Sequence, residues 1–207
     1  MKKVILILFA IATVFSVRAQ DERFSMGLKG GYTSTRFDLS NYDQRLLQID
    51  DHDSKSGYLA GIYTRVKIFK GLSFQPEFYY AKKQGEISFS GVNNDFPFPD
   101  TSYVTKVQAW ELPLLVHLKL IKFEIGNIYV VSGPVISFIK KGETDPDEGF
   151  DFNKSTWTMM LGGGIEIWRV SVDARYEWGL GDVATIGDVG KFYRMLSVSV
   201  GFKLFGI

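Results

Sequence analysis

The stretch Val170–Trp178 reads VSVDARYEW, and its interpretation decides the fold. Val170, Val172, Ala174, Tyr176 and Trp178 alternate with Ser171, Asp173, Arg175 and Glu177. A strict period of two means a β-strand with one apolar and one charged face. Which face looks inward separates a soluble protein from a membrane protein.

The same alternation recurs along the chain, and no amphipathic helix of period 3.6 competes with it. Strand 1 covers about 24–37, with Phe24, Met26, Leu28 and Tyr32 on one face. Strand 2 (57–69) sets Tyr58, Ala60, Ile62, Val66 and Ile68 against Arg65 and Lys67. Strand 3 (72–83) sets Leu72, Phe74, Phe78 and Tyr80 against Ser73, Gln75, Glu77 and Lys83. Strand 4 (104–120) sets Trp110, Leu112, Leu114, Val116, Leu118 and Leu120 against Glu111, His117 and Lys119. Strand 5 lies within 123–138, strand 6 within 156–167, strand 7 is the opening stretch and strand 8 covers 192–205. After Asn127 both faces of strand 5 turn apolar, so a bulge or register shift is expected there.

The connections alternate in length. FKG joins strands 2 and 3, IK (121–122) joins 4 and 5, and WR (168–169) joins 6 and 7. The remaining connections, about 38–56, 84–103, 139–155 and 180–191, are long and polar. All tight turns therefore gather at one end of an up-and-down antiparallel sheet and all long loops at the other. Transmembrane β-barrels are built this way, with short periplasmic turns and long extracellular loops.

Volume orients the faces. An eight-stranded barrel has an interior only just filled by side chains, and a packed barrel of that size holds roughly twelve residues in three layers. The apolar faces carry well over that number of large side chains and do not fit inside. The opposite face does, because it mixes charges with Gly27, Gly31, Gly61, Ala81, Gly162, Gly164 and Gly201. Tyr58 to Ile68 spans about 34 Å along a strand. Tilted by about 40°, that reaches roughly the 25 Å height of an outer-membrane apolar band. Aromatics gather where interfacial girdles belong: Tyr58, Tyr80, Trp110, Trp178 and Phe192 toward the loops, Phe24, Phe69, Phe74, Phe123 and Trp168 toward the turns. The predicted fold is an all-β, eight-stranded up-and-down antiparallel transmembrane β-barrel, with a soluble lipocalin-like ligand-binding barrel as the alternative.

The N-terminus supports export. Lys2 and Lys3 precede the apolar run VILILFAIATVF and then SVRAQ, a signal peptide (1–19) with cleavage expected after Ala19. The run is shorter than the roughly 20 residues a membrane-spanning helix needs. Without residues 1–19, 21 basic residues face 23 acidic ones, a net charge of −2. One domain, 20–207, remains, and localisation in the outer membrane is expected. The chain has no cysteine, which excludes disulfides, thiol nucleophiles and a lipoprotein anchor. Basic pairs such as Lys82-Lys83 and Lys140-Lys141 are too short to suggest nucleic acid.

Several stretches resemble the small outer-membrane β-barrel families of Gram-negative bacteria, and in particular the PorT-like group. They are GLKGGYTSTRF, GIYTRVKIFKGLSFQPEFYYAKK, WELPLLVHLKL, SGPVISF, LGGGIEI, VDARYEWGLGDV and the closing LSVSVGFKLF. The resemblance implies an eight-stranded barrel and, from the name-giving member, a part in secretion across the envelope. It also implies outer-membrane lipid and lipopolysaccharide as surroundings and the barrel-assembly machinery as a partner, with Val200, Phe202 and Leu204 as apolar positions of the assembly signal. An envelope or secretion protein is a further expected partner, and the chain is expected to be a monomer.

The residues expected to line the lumen are Arg65, Lys67, Glu77, Glu111, His117, Lys119, Glu166, Asp173, Arg175 and Glu177. Their signs nearly balance, which favours paired charges that plug a narrow lumen over a proton or solute path. Arg175, flanked by Asp173 and Glu177, is placed to bridge carboxylates with its planar fork. His117 and Glu111 with a nearby Ser could form a lipid-modifying hydrolase, but no Gly-x-Ser-x-Gly elbow is present. A non-enzymatic protein is expected. No cofactor or metal is expected either. Asp50, Asp51 and Asp53 surround His52, and Glu143, Asp145, Asp147, Glu148 and Asp151 form a second acidic loop cluster, but DPDEGFD lacks the spacing of a calcium loop. Phe96 and Phe98, between prolines in NDFPFPD, mark a possible contact site on the loop after strand 3.

Overall fold

Alternation of the kind in VSVDARYEW yields long strands. A computed structural model describes residues 22–40, 47–51, 54–91, 101–145, 151–180, 184–186 and 189–207. The strands are β1 (Phe24–Ser40), β2 (Leu47–Asp51), β3 (Ser54–Phe69), β4 (Leu72–Gly91), β5 (Thr101–Phe123), β6 (Gly126–Asp145), β7 (Asp151–Phe152), β8 (Ser155–Ile167), β9 (Val170–Gly179), β10 (Ala184–Ile186) and β11 (Val189–Gly206). Eight of them follow one another around a sheet in the order β1-β3-β4-β5-β6-β8-β9-β11, and β11 pairs back onto β1 from Ser25↔Gly206 to Ser40↔Gly190. The chain is thus a closed eight-stranded antiparallel barrel. Closure gives every strand two neighbours, the condition for a backbone to cross hydrocarbon without unpaired polar groups. No helix among the described residues is long and apolar enough to cross a membrane; the crossing elements are strands.

The molecule is inside out relative to a soluble domain. Among the described residues, thirty-four large apolar side chains are exposed, including Leu28, Ile62, Phe78, Val116, Leu161, Val172 and Val198, and the buried residues comprise 24 polar or charged ones against 13 hydrophobic ones. A contiguous apolar mantle on this scale belongs in lipid. Aromatic contacts toward the loop end tie neighbouring strands together: Tyr58–Tyr80 at 6.2 Å, Phe78–Trp110 at 5.2 Å and Tyr80–Trp110 at 5.4 Å.

Four details differ from the sequence reading. Among the described residues the sheet has eleven strands, because β2 pairs the upper end of β4, and β7 and β10 extend the β11 side. Strands β4, β5 and β6 also run beyond the predicted ends, to Gly91, from Thr101 and to Asp145. Above the membrane neither face needs to be apolar, so alternation fades while the hydrogen-bond ladder continues. The tight turn between β5 and β6 is Glu124-Ile125, not Ile121-Lys122. A register shift between Lys119 and Ile121 absorbs one residue, leaving Leu120 and Ile121 both exposed and blurring the period there.

The link between β3 and β4 narrows to Lys70-Gly71, with Gly71 at φ 84°, a left-handed conformation that glycine adopts without steric cost. The fourth difference concerns β6. Its register with β8 runs unbroken from Gly126↔Ile167 to Phe138↔Ser155, and the shift expected after Asn127 lies on its β5 side, between Ile128 and Tyr129, where the extra residue is Leu120 of β5 and not a residue of β6. Both faces are apolar because the lumen itself holds an apolar cluster here, Leu115, Tyr129, Val131, Val135 and Met160. Residues 1–21, with the expected signal peptide and its expected cleavage point, Phe96 and Phe98, and the acidic cluster positions His52, Asp53, Asp147 and Glu148 lie outside the described residues.

Candidate functional site

Among the described residues, the inward-pointing positions of the barrel strands place ten charged residues in the buried interior. They are Lys29, Arg65, Lys83, Arg175 and Lys203 against Glu77, Glu111, Glu166, Asp173 and Glu177, five of each sign. They sort by height into three groups.

The central belt is built on Arg175 of β9. Its Nη1 donates to Glu77 Oε2 at 2.8 Å and its Nη2 to Glu77 Oε1 at 2.9 Å, a two-pronged fork on one carboxylate. Its Nε donates to Asp173 Oδ1 at 2.8 Å. Lys29 Nζ of β1 lies 3.2 Å from both Glu77 and Asp173. The Tyr129 hydroxyl at 2.9 Å and Ser199 at 2.7 Å complete Asp173. Two cations and two anions make the belt neutral, and each carboxylate meets several donors, the condition for tolerating buried charge. The room for the guanidinium comes from across the ladder: Gly162 pairs with Arg175, and a Cβ there would sit 2.6 Å from Arg175 Cγ. Gly61 does the same for Tyr79, whose Cβ lies 2.4 Å from where a Gly61 Cβ would be.

Toward the loops, Lys83 of β4 lies 2.5 Å from Glu111 and 3.2 Å from Glu177. Lys83 also donates to the Tyr193 hydroxyl, which donates to Glu177 at 2.6 Å. Thr158 donates to Glu177 at 2.8 Å and Ser137 to Glu111 at 3.1 Å. One cation here serves two carboxylates. Glu111 Oε2, Glu177 Oε2 and the Tyr79 hydroxyl have no hydrogen-bond partner.

Toward the turns, Arg65 Nη1 pairs with Glu166 at 2.7 Å and its Nε donates to Gln75 at 2.8 Å. Gln75 Nε2 in turn donates to Glu77 at 2.6 Å, linking this group to the belt. Lys203 joins Glu166 at 3.6 Å and Glu22 at 3.0 Å. The ring of His117 lies 4.5 Å from that of Tyr129, and neither imidazole nitrogen has a hydrogen-bond partner.

All ten predicted lumen residues therefore point inward; eight are buried, while Lys67 and Lys119 are half-buried near the turn end. The partner choice of Arg175 differs from the expectation. Asp173 is bridged, but the second carboxylate is Glu77 from β4, and Glu177 belongs to the group above. Glu111 and His117 are six residues apart on one strand and sit in different groups, so the structure does not assemble them with a serine. The sequence reading left Lys29, Lys203, Tyr63, Tyr79, Tyr129 and Tyr193 out of the lumen. Parity on the strands was the signal: each occupies the inward pleat. Among the described residues no group of three His, Cys, Asp or Glu side chains could hold a metal ion.

Comparison with known proteins places this architecture. A family model described as "Outer membrane protein beta-barrel domain" matches residues 18–185. No curated protein sequence matches the chain. Among solved structures, the outer membrane protein OprG from Pseudomonas aeruginosa aligns over 88% of this chain and 96% of its own, at 11% identity and a TM-score of 0.55. The attachment invasion locus protein Ail of Yersinia pestis, in complex with the heparin analogue sucrose octasulfate, aligns over 87% and 99%, at 12% identity and a TM-score of 0.44. Neisserial surface protein A aligns over 86% and 97%, at 10% identity and a TM-score of 0.44.

Proposed function

The chain belongs to the outer membrane protein beta-barrel domain family, an outer-membrane barrel, and from that premise we propose that it is a non-enzymatic envelope protein whose stem is a structural plug and whose work is done by its loops. The observation that carries this reading is the central belt. Glu77, Asp173, Arg175 and Lys29 span the lumen from β1, β4 and β9, and each is 5% exposed or less. A lumen closed by mutually satisfied charges serves rigidity, and it leaves the loop end as the surface free to recognise something. Binding of an envelope or secretion protein, in the manner the PorT-like resemblance implies, is the role assigned to the 84–103 and 139–155 connections. Outer-membrane lipid and lipopolysaccharide surround the barrel, and the protein acts as a monomer.

The test places photo-crosslinking residues singly in those two connections in living cells. Discrete adducts from the loop positions, with none from outward positions of the stem such as Val198, are expected. A protein that folds and reaches the outer membrane but yields no loop adduct, or one whose deletion alters the lipid A mass spectrum, refutes the proposal. The second result would establish lipid modification instead.

A further inference from the structure

The two ends of the barrel carry opposite charge. The connections 38–56, 84–103, 139–155 and 180–191 hold 15 acidic and 6 basic residues, whereas the turn-end segments 22–25, 65–73, 117–127, 164–171 and 203–207 hold 8 basic and 3 acidic ones. The basic excess is not spread evenly. A cavity of about 20 Å³ opens beneath β3, β4 and β5, walled by Arg65, Lys67, Lys119 and Lys122, by the hydroxyl-bearing Ser25 and Ser73, and by one acid, Glu22. The enclosed part of that cavity takes one or two oxygen-sized groups, so a larger oxyanion would seat an oxygen or two there and keep the rest in the open mouth between the side chains.

Both nearby carboxylates are already engaged: Glu22 by Lys203 at 3.0 Å and Glu166 by Arg65 at 2.7 Å. Lys67 and Lys122 make contacts of their own, so the excess is one of charge balance at the wall, not of empty donors. The wall is also held in place by backbone bonds. Lys119 N donates to Gly71 O at 2.8 Å, fixing the β3–β4 turn against β5, and Lys67 N donates to Arg23 O at 2.8 Å. Just inside, opposite Ser73 on the strand ladder, buried His117 has both ring nitrogens without a partner, and Asn127 Oδ1 is likewise unpartnered.

We propose that this turn-end cavity is an anion site that takes a phosphate group, held by Lys67, Lys119 and Lys122 with the Ser25 and Ser73 hydroxyls as further donors. Three ammonium groups around a small opening suit a compact, multiply charged oxyanion better than a single carboxylate. The phosphate can come from the headgroup of a lipid in the periplasmic leaflet or from a soluble phosphate in the periplasm.

The protein, folded in dodecyl maltoside micelles and checked by its heat-modifiable gel migration, is titrated at low salt with inorganic phosphate and separately with dihexanoyl phosphatidylglycerol, each followed by ³¹P NMR. Saturable binding is expected, weakened about tenfold by Lys119→Gln or Lys67→Gln. Arg169→Gln, on the turn across the barrel, is expected to leave it unchanged. Should Lys119→Gln fail the gel test, Lys122→Gln at the exposed strand end takes its place. Saturation by inorganic phosphate alone supports the site with a soluble ligand. Preference for phosphatidylglycerol supports it with a lipid one. No saturation by either probe, or equal weakening by Arg169→Gln, overturns the proposal.

Discussion

Replacing Arg175 with methionine removes the hub of the lumen while keeping most of its volume. The variant loses two bonds to Glu77, at 2.8 and 2.9 Å, and those to Asp173 at 2.8 and 3.4 Å. Glu77 and Asp173, each 2% exposed, are left to share Lys29, and the belt passes from neutral to a net charge of −1. Stranding a buried charge by deleting its partner costs roughly 3–5 kcal/mol. The double variant Glu77→Gln, Arg175→Met leaves Lys29 facing Asp173 and is neutral again. Its loss is expected to fall short of the sum of the single losses by about 2 kcal/mol. Urea unfolding in micelles, read as the midpoint shift at constant m, measures all three variants. A loss below about 1 kcal/mol for Arg175→Met, or additivity within about 0.5 kcal/mol across the cycle, refutes the assignment of the belt as the structural core.

Gly162→Val puts a side chain where only 2.6 Å separates the Cβ position from Arg175 Cγ, and a loss of about 1–3 kcal/mol is expected from overpacking, read as loss of the heat-modifiable gel shift at lower urea. Val198→Arg, half-exposed on the outward face of β11, is expected to cost about 2–4 kcal/mol when the protein is folded into lipid vesicles, as for a cation near the bilayer midplane; insertion as efficient as the parent's contradicts the placement of that face in lipid. Gly71→Ala, at φ 84° in the β3–β4 turn, is expected to cost about 1–2 kcal/mol, measured in the same urea titration, with no change in the barrel's final migration.

Period two carried most of the architecture. Eight alternating segments and the long-short order of their connections suffice for the barrel, and interior volume alone is enough to turn its faces outward. Where the reading slipped, a second constraint overrode alternation. At Leu120 a bulge shifts the pleat, so parity counted through it misplaced the turn. At Val131 and Val135 the lumen is itself apolar, so the contrast between the faces vanishes although the strand is regular. Within the lumen, parity gave which residues point inward but not whom they meet. Arg175 reaches Glu77, 98 positions earlier, because barrel diameter and strand stagger bring β4 opposite β9, and neither is written in local sequence. The four buried tyrosines went unnoticed for a related reason: tyrosine suits both an interfacial girdle and a polar interior, and only its pleat distinguishes the two.

The pairing of β1 with β11 joins residues about 180 positions apart, Ser25 with Gly206. Closing a loop of that length costs about 3 kcal/mol more in chain entropy than closing the nine-residue 92–100 connection. Every other barrel seam is between neighbours in the chain and can form early. The last seam cannot, and until it forms the first and last strands each present an open hydrogen-bonding edge, which is the template for pairing with another chain. A sheet one seam short of closure is therefore the form of this chain that exposes the longest open edges, and the β1–β11 pairing is the contact that removes them both at once.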